Sequence, residues 1–169
     1  MVEPYHVWPW LPEGTVGNWS IRRCRLFGGG DWQTSLTCNG DEWMTDGRQE
    51  YIEHAAFVSE AYGSVLTTGI GVGFLPNLML STGKCTKISV IEKNQGVVDL
   101  VWPYLQSRFF GSGVELSLIQ ADANEYVPQE DYDFGWADHY KYFPSNEERA
   151  IINDLWSPTV KRIFFWSQV

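Results

Sequence analysis

Residues Val65–Gly73 read VLTTGIGVG, a short apolar run that gives way to three alternating glycines. Val65 and Leu66 predict a buried β-strand, and Gly69, Gly71 and Gly73 let the backbone turn sharply where a helix would begin. A helix start carries unpaired N–H groups and a partial positive charge, so a ligand can lie against bare backbone there. A second apolar strand, ISVI (Ile88–Ile91), ends at Glu92, about 20 residues past the glycines, the spacing at which an acid can accept hydrogen bonds from both hydroxyls of a ribose. Together the two features point to a nucleoside-containing cofactor.

Downstream, strands and helices alternate. A helix is expected from Phe74 to Ser81, and another follows the second strand, with Val97, Val98, Val101, Tyr104 and Leu105 on one face. Strands are expected at 114–119, 132–136 and 160–166, and a helix at 146–156. Such alternation predicts an α/β fold, a Rossmann-like, mostly parallel sheet with helices on both faces. Upstream, Thr45 or Asp46 can cap a helix running to about residue 62, with a stripe of Tyr51, Ala55, Val58 and Tyr62 flanked by Ile52 and Ala56. His54 on that helix, beside Glu50 and Glu53, reads as a satisfied surface histidine.

The first 45 residues differ. They hold Pro4, Pro9 and Pro12, two β-like runs (19–27 and 32–40) around Gly28-Gly29-Gly30-Asp31, and a further short strand after Asn39-Gly40. No lysine or helix follows the triple glycine, so it predicts a hairpin turn and not a phosphate loop. The expected division is an antiparallel β-extension over 1–45 and a Rossmann-like domain over 46–169.

The 169 residues carry a formal net charge of −9, with 44% hydrophobic residues. Such a chain repels a phosphate backbone at long range, which argues against a nucleic-acid partner and for a small-molecule or protein substrate, of which the small molecule is the expectation. Arg22, Arg23 and Arg25 fall on a strand and read as solvated surface. The N-terminal MVEPYHVWPW lacks the blocks of a signal peptide, and no run is long enough to span a bilayer. A cytoplasmic protein without a membrane partner is the expectation. Cys24, Cys38 and Cys85 form no C-x-x-C pair, so reduced thiols are expected, with neither disulfide nor zinc, and no metal is expected.

Four strand ends then carry candidate ligand groups: the glycines, Glu92, Asp122 in QADANEY and Asp138 in YDFGWADHY. In an open parallel sheet these fall together at the carboxyl rim. VLTTGIGVG, SVIEKN, IQADANEYV and YDFGWADHY, in that order, resemble the class I S-adenosylmethionine-dependent methyltransferases, and most closely their spermidine-synthase-like (aminopropyltransferase) group. The small β-extension, ending in MTDGRQEYIEH, also resembles the hairpin that precedes the Rossmann-like core in aminopropyltransferases.

The resemblance implies S-adenosylmethionine, or its decarboxylated form, as cofactor. It places Glu92 on the ribose, Asp122 and Ala123 on the adenine, and the glycine loop under the methionine portion. Asp138 and Tyr140 become the candidate catalytic residues, the first to orient the nucleophile and the second to shield it from water. Asp122 is equally suited to cap a following helix, and Asp138 to a purely structural hydrogen bond. His139 reads as a pocket wall.

Several departures matter. Thr67 stands where many methyltransferases have an acid. Asp138 is followed by His139, Tyr140 and Lys141, not by the second acid of polyamine enzymes, so a polyamine product is not expected. The chain stops after the fifth strand of a seven-stranded fold, leaving a shortened sheet whose edge the N-terminal extension or a partner chain would cover, so a homo-oligomer stays open. A sequestering module without transfer activity is the alternative function. A nicotinamide-dependent oxidoreductase fits less well, because its third glycine would fall at Phe74.

Overall fold

The structure is a computed structural model that describes residues 6–7, 9–25 and 30–166. Pro4, residues 26 and 27 of the first long β-run, and Gly28 and Gly29 of the expected hairpin turn lie outside the described residues. Four strands, β1 (Gly14–Val16), β2 (Trp19–Arg25), β3 (Trp32–Cys38) and β4 (Asp41–Thr45), form an antiparallel sheet in the order β1-β2-β3-β4. β3 and β4 meet at the Asn39-Gly40 turn, where both residues have positive φ, as a tight hairpin demands. β1 was not anticipated; three residues are too few for alternation to register.

After α1 (Arg48–Glu60) the chain runs β5 (Gly63–Thr68), α2 (Phe74–Thr82), β6 (Cys85–Ile91), α3 (Gln95–Phe109), β7 (Glu115–Ile119), β8 (Phe134–Ala137), α4 (Asn146–Trp156) and β9 (Ile163–Phe165). β5 to β9 make one five-stranded sheet in the order β7-β6-β5-β8-β9, with every pair parallel. The order reverses at β5, between β6 and β8. The expected Rossmann-like α/β architecture is therefore the observed one.

Alternation of side chains along the strands splits the core in two. Val65, Ile88, Val90, Phe134 and Trp136 face α1–α3 and, beyond them, Ile21 and Leu36 of the small sheet. Leu66, Ile91 and Ala137 face the other way, onto Ile152 and Trp156 of α4. α4 starts with a reciprocal capping box: Ser145 Oγ accepts from Glu148 N, and Glu148 accepts from Ser145 N. The small sheet seats on α3, with Trp19 lying over Gly96 and Leu100 against Gly14. It does not pair with β9, which closes the five-stranded sheet on its side. Among the described residues no helix is long and apolar enough to cross a membrane.

Two expectations for α1 change. The helix has no side-chain cap. Asp46, fully buried, instead accepts from the backbone N–H groups of Val7 and Thr34, while Thr45 Oγ1 accepts from Gly47 N. The buried positions are His54, Phe57 and Ala61, whereas Tyr51, Ile52 and Tyr62 are exposed. On α3, Val97, Val98, Val101 and Leu105 are buried as expected and Tyr104 is not. At the amino-terminal rim, Asp133 joins neighbouring strands: Oδ2 accepts from Ser64 N and Ser64 Oγ, and Oδ1 accepts from Lys161 Nζ at 2.6 Å.

Candidate functional site

Parallel strands end on the same rim, so the segments after β5, β6, β7 and β8 converge. They enclose a cavity of about 310 Å³, roofed by Trp19, Leu36, Trp43 and Met44 of the small sheet. Of the residues expected from sequence, Gly69, Gly71, Glu92, Asp122, Ala123, Asp138 and Tyr140 line this cavity. Gly73 does not; it begins α2 behind the loop, against Trp10 and Val101.

Glu92 is only 7% exposed, and its carboxylate fastens two loops. Oε2 accepts from Ile70 N in the glycine loop at 3.0 Å, and Oε1 accepts from Asn94 N and Nδ2. Oε2 thus keeps a lone pair for a further donor. Gly71 is where glycine is required: its φ is +54°, and an added Cβ would fall 2.0 Å from Met44 Sδ. The thioether therefore rests directly on the loop.

Asp122 caps a turn, where a helix cap was the expectation. Its Oδ1 accepts from Asn124 N, no helix follows, and Oδ2 pairs with Lys93 at 3.2 Å. The Asn124 N–H, working against burial and with help from Lys93, holds this carboxyl below its ordinary range. A chain of bonds continues from Asn124 to the next segment. Asp138 N donates to Thr68 Oγ1, whose hydroxyl donates to His139 Nδ1, and His139 Nε2–H donates to Asn124 Oδ1. Only the Nε2–H tautomer satisfies all three bonds, and burial pushes the ring down to about 4, so it is neutral. Tyr140 lies on the His139 ring at 4.0 Å, its hydroxyl pushed up to about 12 by burial. Thr67 is buried and outside the cavity; Thr68 is the residue that reaches it.

A third cluster joins Asp138 to two residues not expected at the site. His54 is 2% exposed, not a surface residue. Its Nδ1 donates to the Glu50 carbonyl at 2.7 Å, and its Nε2 lies 3.1 Å from Asp138 Oδ2, which also accepts from Trp136 Nε1. Glu50 Oε2 stands 3.7 Å from His54 Nδ1, and Glu50, His54 and Asp138 all line the cavity. Burial pushes Glu50 up to about 7, opposed by His54 and reinforced by Asp138 and Glu53. Burial alone would lower His54, but Asp138 and Glu50 outweigh it and hold the ring above its ordinary 6.5. The nearness of Glu50 to His54 was legible in the sequence, but a misplaced apolar stripe put the pair on the surface. Among the described residues no group of three or more His, Cys, Asp or Glu could hold a metal ion.

No family model and no curated protein matches the chain. Solved structures do resemble it. Spermidine synthase from Thermotoga maritima superposes with a TM-score of 0.56 at 17% identity, over 86% of this chain and 52% of its own. Spermidine synthase in complex with the transition state analogue AdoDATO gives 0.57 at 18% identity, over 86% and 52%. The tRNA (uracil-54, C5)-methyltransferase of Pyrococcus abyssi, in complex with S-adenosyl-L-homocysteine, gives 0.50 at 14% identity, over 80% and 32%. The chain thus spans about half the length of the two spermidine synthases. The likeness is one of fold: the five-stranded parallel sheet with its helices superposes on those two spermidine synthases and on that tRNA methyltransferase.

Proposed function

We propose that the protein binds S-adenosylmethionine, or its decarboxylated form, and transfers a group from the sulfonium carbon to a small-molecule nucleophile. The observation that carries this reading is the convergence of Glu92, the Gly69–Gly71 backbone, Asp122-Ala123 and Asp138 on one cavity at the switch point of the sheet. The donor set fits the group. Glu92 Oε2 retains a lone pair for a ribose hydroxyl, Ala123 offers a buried apolar surface for a purine, and Asp122 stays ionised beside it. Solved structures of this fold that carry S-adenosyl-L-homocysteine or the analogue AdoDATO support the same choice of ligand.

When bound, the donor supplies an already activated carbon attached to positive sulfur. The chain's own work is then positioning and proton handling. Glu92 binds and orients the sugar while keeping the glycine loop closed through Ile70 N. Asp138 is held by Trp136, His54 and Thr68 at the far side of that loop, where its carbonyl oxygen lies close under Gly69. It orients the nucleophile and receives its proton. Tyr140, Trp136 and Trp166 line that end and exclude water.

Calorimetry with S-adenosylmethionine, methylthioadenosine and NAD tests the reading directly. Binding of the two adenosyl-sulfur ligands is expected, and Glu92→Ala should weaken it by about 1–3 kcal/mol through the lost hydrogen bonds. Asp122→Ala should weaken adenine recognition more than Asp122→Asn. Preference for NAD, or unchanged affinity in a folded Glu92→Ala variant, refutes it.

A further inference from the structure

His54 has a geometry that packing alone does not require. Its Nδ1 faces a backbone carbonyl, which only accepts, so Nδ1 carries a hydrogen and the variable proton belongs to Nε2. Nε2 points at Asp138 Oδ2 from 3.1 Å. Both side-chain bonds of Asp138 fall on Oδ2, whereas Oδ1 has no partner among the described residues, and the side chain is 21% exposed at the cavity wall. The carboxylate thus has one oxygen backed by the imidazole and the other turned loose at the site. On the opposite side of the ring stands Glu50, 22% exposed.

We propose that Glu50, His54 and Asp138 form a proton relay, in which Asp138 takes the acceptor's proton, His54 stores it and Glu50 sets how firmly it is held. This rests on the donor reading above and adds to it the class of acceptor: one that carries a dissociable proton on its reacting nitrogen or oxygen. A tertiary amine or a thiolate would leave the relay without work. In the step, a lone pair of the acceptor N–H or O–H forms the bond to the donor carbon. The carbon–sulfur bond breaks with both electrons going to sulfur, which becomes a neutral thioether. The acceptor's proton passes to Asp138 and on to a neutral His54, giving an imidazolium beside a carboxylate. His54 and Glu50 act through Asp138 and are positioning residues.

The groups that govern the relay can be named. His54 feels Asp138 and Glu50, and Glu50 feels His54, Asp138 and, along α1, Glu53, which accepts from Trp166 Nε1. From α2 and β8, the rings of Phe74 and Trp136 pack on the imidazole at 5.8 and 5.0 Å. Since only a neutral His54 can take the proton, turnover should rise with pH through a His54 midpoint lying above 6.5.

Imidazole NMR titration of the free protein is the first measurement. The His54 midpoint should fall in Glu50→Gln and in Asp138→Asn, because each removes an anion that favours the charged ring. Calorimetry and the same titration are then run with S-adenosylmethionine and with S-adenosylhomocysteine. If both bind, the positive sulfonium should lower the His54 midpoint more than the neutral thioether does. In mass-spectrometric assays of amine, phenol and thiol acceptors, His54→Gln should cut turnover on the amine or phenol about 100-fold with donor affinity retained. Glu50→Gln should shift the rising limb of the pH profile to lower pH by the same amount as the NMR midpoint. A His54 midpoint indifferent to both substitutions, or one equally blind to sulfonium and thioether when both bind, overturns the relay. Failure of S-adenosylmethionine to bind at all refutes the donor reading instead, and the coupling measured in the free protein still decides the proton linkage.

Discussion

Glu50→Gln should stabilise this protein, and only above mildly acidic pH. Burial lifts Glu50 from 4.5 to about 7, so the folded state resists ionising a group that the unfolded chain ionises freely. The sign follows from linkage. A carboxyl with a raised folded value contributes full stability below its unfolded value, and that contribution is lost as pH climbs toward its folded value. At about 1.36 kcal/mol per unit the whole loss is about 3 kcal/mol, and the 22% exposure of the side chain reduces it to about 2 kcal/mol through solvent screening. Glutamine keeps the shape and the acceptor oxygen but cannot ionise. Urea unfolding of the two proteins should therefore coincide at pH 4, separate between pH 4.5 and 7, and differ by about 2 kcal/mol at pH 8 in favour of the variant. For a chain of this size that difference corresponds to a Tm gain of about 4–8 °C. Parallel stability curves across the whole range, or a variant weaker at pH 8, would refute the assignment of a buried, reluctantly ionised Glu50.

Other expectations follow from the same contacts. Gly71→Ala should cost about 2–4 kcal/mol, from the positive φ together with the collision on Met44; the double variant with Met44→Ala should recover part of that in thermal melts, and equal losses would exclude the steric component. His139, pushed down to about 4, should show ring resonances that stay flat from pH 5 to 8. Because its folded value lies below the unfolded one, its contribution to stability is present above about 6.5 and is lost as pH falls toward 4; a midpoint near 6.5 in the folded protein would contradict the Thr68–His139–Asn124 chain.

The rim of ligand groups was legible because each member sits at a strand end that apolar runs announce. VLTT, ISVI and the segment before Asp138 became β5, β6 and β8 with small shifts of boundary. The burial of the Glu50–His54 pair was hidden for a specific reason. Tyr51, Ile52 and Tyr62 are large and apolar, and they drew the expected buried face of α1 around to the side that is solvent-exposed. The true inner face, with His54, Phe57 and Ala61, includes a titratable ring, and a stripe rule counts that as polar. Only the return of β8 beside β5 brings Asp138 to His54, a contact 84 positions apart that no local pattern encodes. Asp46 shows the same limit. It looked like a cap by residue type, but its oxygens are taken by the N–H groups of Val7, ahead of β1, and of Thr34 in β3, which only the tertiary fold brings together.

The clamp made by Asp133 has a consequence for engineering. It secures the first residues of β5 and β8 to each other and to Lys161 at the rim opposite the cavity. The strands are thereby indexed from the end where no chemistry is expected. Within the segment that follows Asp138, His139 and Tyr140 are tied into the site, whereas residues 141–143, just ahead of the Ser145 capping box, are exposed. Residues 141–143 therefore form an exchangeable cassette. Grafting a different acceptor loop there should preserve strand register, provided that Asp133 and Ser64 are retained, whereas the same graft with Asp133→Ala would put the register at risk.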